Sequence, residues 1–305
     1  MRVFDDFDAW GEAVSGASLR LACDGIERPR WTLGMFELGG VILQVATEGG
    51  GNICYGANTH DGPILFLPLV HANAHVANGA PLDDDSLLAI PRGADFSICV
   101  RRRAHGWCSI AFPADTIPDT DTVIGNRASG SRRLACAPGA ARSLADLVGR
   151  IAANLADRPP GTPAHRAAGA ALRTAALVSV GVPTPSRTVT GRPRLDRAAI
   201  IRRAMKAIDE SPTMLAASDV ARASGTTPRT LQRAFCETFG MPPRGYLALR
   251  ELHHVRRLLA AAAHRGTSVA DVLASRGIWE FGRFAGRYRS HFGEVPSETL
   301  RRARG

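Results

Sequence analysis

SDVARASGTTPRTLQRAFCETFG, residues 218–240, reads as two short helices joined by a tight turn. Ser218 and Asp219 offer side-chain oxygens to the free amides of a first helical turn. Gly225 supplies the left-handed residue that ends a helix at low steric cost. Thr226 or Thr227 then caps a second helix, and Pro228 sits near its first position, where a missing N–H does no harm. Leu231, Phe235 and Phe239 recur at every fourth residue and predict the buried stripe. Arg229, Thr230, Gln232 and Arg233 are left on the outer side. The pattern is that of a helix-turn-helix, although a hairpin of a helical bundle shares it.

Repetition separates the two readings. In Thr267–Phe292, TSVADVLASRGIWEFGRFAGRYRSHF, Gly277 matches Gly225. After the turn the register slips by one, so Phe284, Tyr288 and Phe292 match Leu231, Phe235 and Phe239. Gly293 and Pro296 match Gly240 and Pro243. Ser268 and Asp271 predict a capping box at the start of this copy. Matched glycines, aromatics and prolines mark an internal repeat. Between the copies, residues 243–263 have helix-favouring composition, with Leu247, Leu252, Val255, Leu258 and Leu259 at helical spacing. Some twenty helical residues span about 30 Å, and successive major-groove faces lie roughly 34 Å apart. Such a rod suits two reading heads on one side of a duplex.

Residues 195–303 resemble the DNA-binding domain of the AraC/XylS family of transcription regulators. The matching features are Asp219-Val-Ala-x-x-x-Gly225, Arg229-x-Leu-Gln-Arg-x-Phe235, Phe239-Gly240-x-Pro-Pro, the Tyr246, Arg250 and Leu258-Leu259 positions, and Gly293-x-x-Pro296. The resemblance implies double-stranded DNA as partner, read in the major groove, with RNA polymerase downstream. It implies base-facing roles for Arg229, Thr230, Gln232 and Arg233. In the second copy Gly282, Ala285 and Gly286 stand where Arg229, Gln232 and Arg233 stand in the first, leaving Arg283 and Arg287 as its candidate DNA contacts. That head is expected to rely more on phosphates and DNA shape. The resemblance further implies a small-molecule effector bound by a cupin-like N-terminal half, with pocket residues unassigned, and activation of a catabolic operon.

Charge divides the chain in the same place. Residues 191–305 hold 21 basic against 10 acidic residues, a balance of +11, whereas residues 1–190 hold 17 against 18. A basic end on a near-neutral partner is the electrostatic footprint of nucleic-acid binding. No run of 18 or more apolar residues predicts a membrane span, and MRVFDDFDAW is acidic and lacks a signal-peptide core. Cys23, Cys54, Cys99, Cys108, Cys136 and Cys236 show no CxxC spacing, which favours buried thiols in a reducing cytoplasm over zinc or disulfides.

From Trp31 to about Pro113 short apolar runs alternate with Gly, Pro, Asn and Asp clusters: 41–47, 64–70, 86–90, 96–100 and 107–112, with Asn78-Gly79 as a hairpin turn. These predict a sandwich or small barrel. His60, His71 and His75 fall close together, yet the segment reads as strand and loop, and no His-x-His occurs. Ordinary surface or pocket histidines are expected, with no metal and no cofactor. Arg101-Arg-Arg103 reads as a solvated loop, since successive strand residues alternate faces. Residues 143–156, opened by a Ser143/Asp146 capping box, and 164–180 predict two helices that either dimerise the chain or pack on its own β domain. Residues 181–194, GVPTPSRTVTGRPR, read as a linker.

The expected architecture is α+β. A β-rich sensor domain (1–140) is followed by a helical connector (141–180), the linker, and an all-α domain (195–305) with two helix-turn-helix units joined by a long helix. The expected function is a cytoplasmic, sequence-specific, effector-responsive transcription regulator with no catalytic residues. Its rivals are a cupin-type metalloenzyme with a helical appendage, a DNA-repair alkyltransferase with a similar helical domain, and an architectural DNA binder that senses nothing.

Overall fold

The computed structural model describes residues 1–114, 130–180, 196–211, 213–262 and 266–304. Two units emerge, Met1–Pro193 and Arg194–Gly305. The expected linker, 181–194, lies outside the described residues.

The first unit carries strands β1 (Arg2–Phe4), β2 (Ala17–Ile26), β3 (Trp31–Leu38), β4 (Val41–Glu48), β5 (Gly50–Asn58) and β6 (Ile64–Val70). It continues with β7 (Val76–Ala77), β8 (Ala80–Pro81), β9 (Ser86–Ile90), β10 (Asp95–Val100), β11 (His105–Ala111) and β12 (Arg132–Ala135). Among the described residues they form two antiparallel sheets, ordered β1-β3-β4-β11-β6-β9-β12 and β2-β5-β10-β7-β8. Strand structure thus begins earlier than Trp31 and ends later than Pro113. Asn78 and Gly79, with φ of 51° and 78°, make the tight turn between β7 and β8. Both residues at positive φ is the geometry a two-residue hairpin requires.

Alternation divides the larger sheet between two cores. Leu65 and Leu67 of β6, Leu87 and Ala89 of β9, and Cys108 and Ile110 of β11 join one cluster. Their neighbours Ile64, Phe66, Leu88, Ile90, Trp107 and Ala111 join another, with Cys54, Phe96 and Ile98 of the smaller sheet. Each fully buried Leu, Ile or Phe among them contributes about 1.5–3 kcal/mol. A short helix not expected from the sequence, α1 (Phe7–Ala13), adds Phe7 and Trp10 to the second cluster. Asp6 caps it by accepting from the Ala9 amide at 3.0 Å.

Helices α2 (Ala140–Leu155) and α3 (Pro163–Val180) cover the other face of the larger sheet. Leu144, Val148, Ile151 and Leu155 of α2 and Leu172, Ala176 and Val180 of α3 lie in the same cluster as the sheet's outer residues. The apolar stripes therefore pack on the chain's own β domain. The capping box expected at Ser143 does not form. The helix starts a turn earlier, at Gly139 in a left-handed conformation, and the Ser143 hydroxyl donates back to the Gly139 carbonyl at 2.9 Å.

The second unit is all helical: α4 (Arg197–Glu210), α5 (Ala217–Ala223), α6 (Pro228–Phe239), α7 (Pro243–Ala261), α8 (Val269–Ser275), α9 (Phe281–Phe292) and α10 (Pro296–Arg304). Around the first copy Phe235, Phe239 and Tyr246 form an aromatic triangle with centroids 4.9–5.5 Å apart. Around the second, Phe284 and Tyr288 are buried with Leu252, Val255 and Leu259 of α7. Among the described residues no helix is long and apolar enough to cross a membrane.

Candidate nucleic-acid interface

Both turns are built alike, atom for atom. At the end of α5 the Thr226 amide donates to the Ala221 carbonyl and the Gly225 amide to Arg222, each at 3.0 Å. At the end of α8 the Ile278 amide donates to Leu273 and the Gly277 amide to Ala274, each at 2.9 Å. These are paired Schellman bonds around a left-handed glycine, with φ of 63° at Gly225 and 69° at Gly277. An added Cβ would meet nothing at either glycine, so conformation alone requires them.

After the turn the copies differ. Thr227 caps α6, accepting from the Thr230 amide at 3.2 Å, with Pro228 in the first turn. Glu280 occupies the corresponding place before α9 and makes no cap bond. The second turn is one residue longer and carries Trp279, which is 73% exposed. At the helix starts the order is reversed. Ser268 and Asp271 form a complete capping box on α8. Hydrogen bonds from Ser268 hold the Asp271 carboxyl below its ordinary pKa. The cap expected from Ser218 and Asp219 is absent: α5 starts from Ala216 without a side-chain bond, and Asp219 lies inside the first turn.

Arg229, Gln232 and Arg233 are exposed along α6 while Leu231, Ala234 and Phe235 are buried. Cys236 extends this outer face, in contrast to the buried thiol expected, and borders the same shallow recess as the three polar residues. Thr230 is half-buried, its hydroxyl 2.9 Å from that of Thr227, so it belongs to the helix start. Glu237 accepts from Arg233 Nε at 2.8 Å and pairs with Arg197 of α4 at 2.6 Å. On α9 Arg283 and Arg287 are exposed, Arg283 bonded to Glu280 at 3.1 Å and Arg287 set over the Phe284 ring. Gly282 and Gly286 share this outer surface, and a Cβ at either would meet no other atom.

His60 Nδ1 accepts from the Gly62 amide, and His75 is buried with Nδ1 on the His71 carbonyl. Arg101 pairs with Asp24 beside the turn between β10 and β11.

Two helix pairs with the same left-handed glycine turn, joined by one helix and each exposing arginines early on its second helix, define a double helix-turn-helix of the DNA-binding kind. Residues 220–302 match the family described as "Helix-turn-helix domain". Over 78 residues the chain is 36% identical to the XylDLEGF operon transcriptional activator of Pseudomonas putida, covering 26% of this chain and 24% of that protein. Over 87 residues it is 34% identical to a probable thc operon regulatory protein of Rhodococcus erythropolis, covering 28% and 26%. The chain thus matches about a quarter of the length of these relatives. The solved structure of the AraC-like transcriptional activator CuxR is similar at 15% identity and a TM-score of 0.44, covering 89% of this chain and 96% of that one. The C-terminal unit carries a helix-turn-helix domain that is similar in sequence to part of each of these operon regulators.

Proposed function

We propose that the chain is a sequence-specific DNA-binding transcription regulator, an effector-responsive activator of a catabolic operon. The observation that carries this reading is the duplicated turn and helix of the C-terminal unit, on the half of the chain with a balance of +11. In this reading α6 and α9 enter successive major grooves. Arg229 and Arg233 donate in pairs to guanine and Gln232 pairs with adenine, each worth about 1–3 kcal/mol of base discrimination. Thr230, at the helix start, faces phosphate. Arg283 and Arg287 bind the backbone of the second half-site, while the open glycine surface of α9 permits close approach to DNA. Nineteen residues of α7 give a rod of about 28 Å, close to one helical repeat.

The N-terminal unit senses a small molecule whose binding alters DNA affinity, and RNA polymerase is the downstream partner. A second copy of the chain would use surface other than the stripes of α2 and α3, such as Leu177 and Val178, which are 43% and 68% exposed. The setting is the cytoplasm.

Fluorescence anisotropy tests the reading. The full chain is titrated onto a labelled duplex from its own upstream region and onto a scrambled one across a salt series, with Arg229→Ala and Arg233→Ala in parallel. A preference for the upstream duplex that survives moderate salt and weakens in both variants is expected. Equal binding to both duplexes that salt abolishes would reduce the unit to a basic surface.

A further inference from the structure

A cavity of about 640 Å³, its mouth included, lies between the two sheets of the N-terminal unit. Its walls are apolar, with Leu19, Leu21, Phe66, Ile90, Phe96 and Ile98 among them. At one end the amide of Gln44 is fully engaged with the Ser15 backbone and the Ser109 hydroxyl.

The other end is not satisfied. Glu48 and Asn52 line the cavity and are 3% and 6% exposed. Three donors converge on a single oxygen, Glu48 Oε1: Trp107 Nε1 at 2.7 Å, Asn52 Nδ2 at 3.2 Å and His105 Nε2 at 3.3 Å. Glu48 Oε2 and Asn52 Oδ1 receive none, and both atoms are buried. Native interiors seldom leave such acceptors without a partner. The arrangement is fixed by Gly49, Gly50 and Gly51 between the two residues. A Cβ on these would overlap the Arg28 carbonyl, the Gly25 carbonyl and the Arg102 amide, so only glycine lets the chain turn here with both side chains on the cavity. The Glu48 charge is countered from its Oε1 side. His105 Nδ1 faces the Gly50 and Arg103 carbonyls and Nε2 faces the carboxylate, so both ring nitrogens donate.

We propose that this cavity binds a small apolar molecule with a primary amino head, held by Glu48 Oε2 and Asn52 Oδ1. An ammonium carries three donors and reaches both acceptors together, whereas a hydroxyl carries one and leaves an acceptor unfilled. A carboxylate head brings acceptors to acceptors and a negative charge to Glu48. The proposal rests on reading the N-terminal unit as the sensor. Specific DNA binding, measured separately, stands or falls without it.

The test uses the full chain and matched probes: phenethylamine and hexylamine, phenethyl alcohol and hexanol, phenylacetate and hexanoate. Calorimetric titration and the shift of the thermal transition are read for each. The amines are expected to bind saturably and about tenfold or more tighter than the alcohols, with the carboxylates silent. Glu48→Gln places an amide N–H where Oε2 stood and is expected to remove that preference. Leu19→Phe, which narrows the cavity and leaves its polar end intact, is expected to weaken every amine and guards against misfolding of the first variant. Binding of carboxylates in preference to amines would overturn the assignment of ligand class while leaving a sensing cavity. Failure of all six probes to bind, or amine binding unchanged in both variants, would overturn the proposal itself.

Discussion

Glu251 of the linking helix receives the Arg276 guanidinium through both carboxylate oxygens, Nε to Oε1 at 2.9 Å and Nη2 to Oε2 at 3.2 Å. The adjacent residue, Arg250, binds Asp209 of α4 at 2.8 Å. Neighbours on α7 thus tie the rod to α4 on one side and to the second turn on the other. The side chains of Arg276 and Glu251 are only 16% and 9% exposed. Removing one partner of such a pair leaves the other charge stranded and costs roughly 3–5 kcal/mol. Glu251→Ala is therefore expected to lower the melting transition of the helical unit in scanning calorimetry of the full chain, and to weaken DNA binding with it. Arg276→Lys is expected to recover little, because an ammonium cannot reproduce the forked contact. A transition unmoved by Glu251→Ala would show that the rod is held by its apolar face alone.

The two glycines of α9 give a prediction in which stability and function move oppositely. Gly282 and Gly286 lie inside a helix, and a methyl group at either would meet no other atom. Alanine should therefore stabilise the helix by about 1 kcal/mol per site. If the backbone of α9 lies against DNA, the same methyl groups hold it away. Gly282→Ala and Gly286→Ala are expected to raise the melting temperature and lower affinity for the upstream duplex. A gain in stability with unchanged affinity would remove the close-approach role from this surface.

The helical half was legible because its signals are local. A period of four in Leu231, Phe235 and Phe239, one glycine and one capping threonine decide the unit, and all lie within 23 residues. The polar end of the cavity was not legible, because Glu48 meets Trp107 across 59 positions of sequence. Gly49, Gly50 and Gly51 between Glu48 and Asn52 are the local mark of the bend that brings the two together. The start of α2 was misplaced for a related reason. Ser143 and Asp146 have the spacing of a capping box, but Gly139 offers a left-handed start one turn earlier, and the sheet beneath rewards burial of Ala141 and Leu144. Propensity yielded there to packing.

The unequal caps of the two reading helices predict unequal responses. Thr227→Ala removes the hydroxyl that accepts from the Thr230 amide and is expected to destabilise α6 by about 1 kcal/mol. Glu280→Ala removes no cap bond, so its loss is confined to the exposed contact with Arg283. Glu280→Thr is expected to stabilise α9 by supplying the missing cap. Urea unfolding of the three variants, followed by far-ultraviolet circular dichroism, measures the order directly. A Glu280→Ala loss as large as that of Thr227→Ala would contradict it.

His75 and His105, with rings 5.0 Å apart, should set opposite limbs of a pH profile. Burial first, and then the charge of His105, lowers the pKa of His75 to about 3. Burial also lowers that of His105 and is the largest single influence there. The Glu48 charge and its hydrogen bond, with the carbonyls of Arg103 and Gly50, outweigh it and leave the pKa raised. An unfolded histidine titrates near about 6.5. For His105 the stabilisation is complete below that value and is lost as pH rises through the higher folded pKa. For His75 the unfolded chain takes up the proton first, so stability present above about 6.5 is lost as pH falls toward its folded pKa. Cys54, the other titratable group beside Glu48, is pushed up by burial and stays protonated throughout. The thermal midpoint of the N-terminal unit is therefore expected to peak near about pH 6.5. His105→Gln should flatten the alkaline limb and His75→Gln the acid limb. A midpoint that climbs steadily to alkaline pH in the unmodified chain, unchanged by His105→Gln, would mean that the Glu48–His105 pair carries no proton of its own.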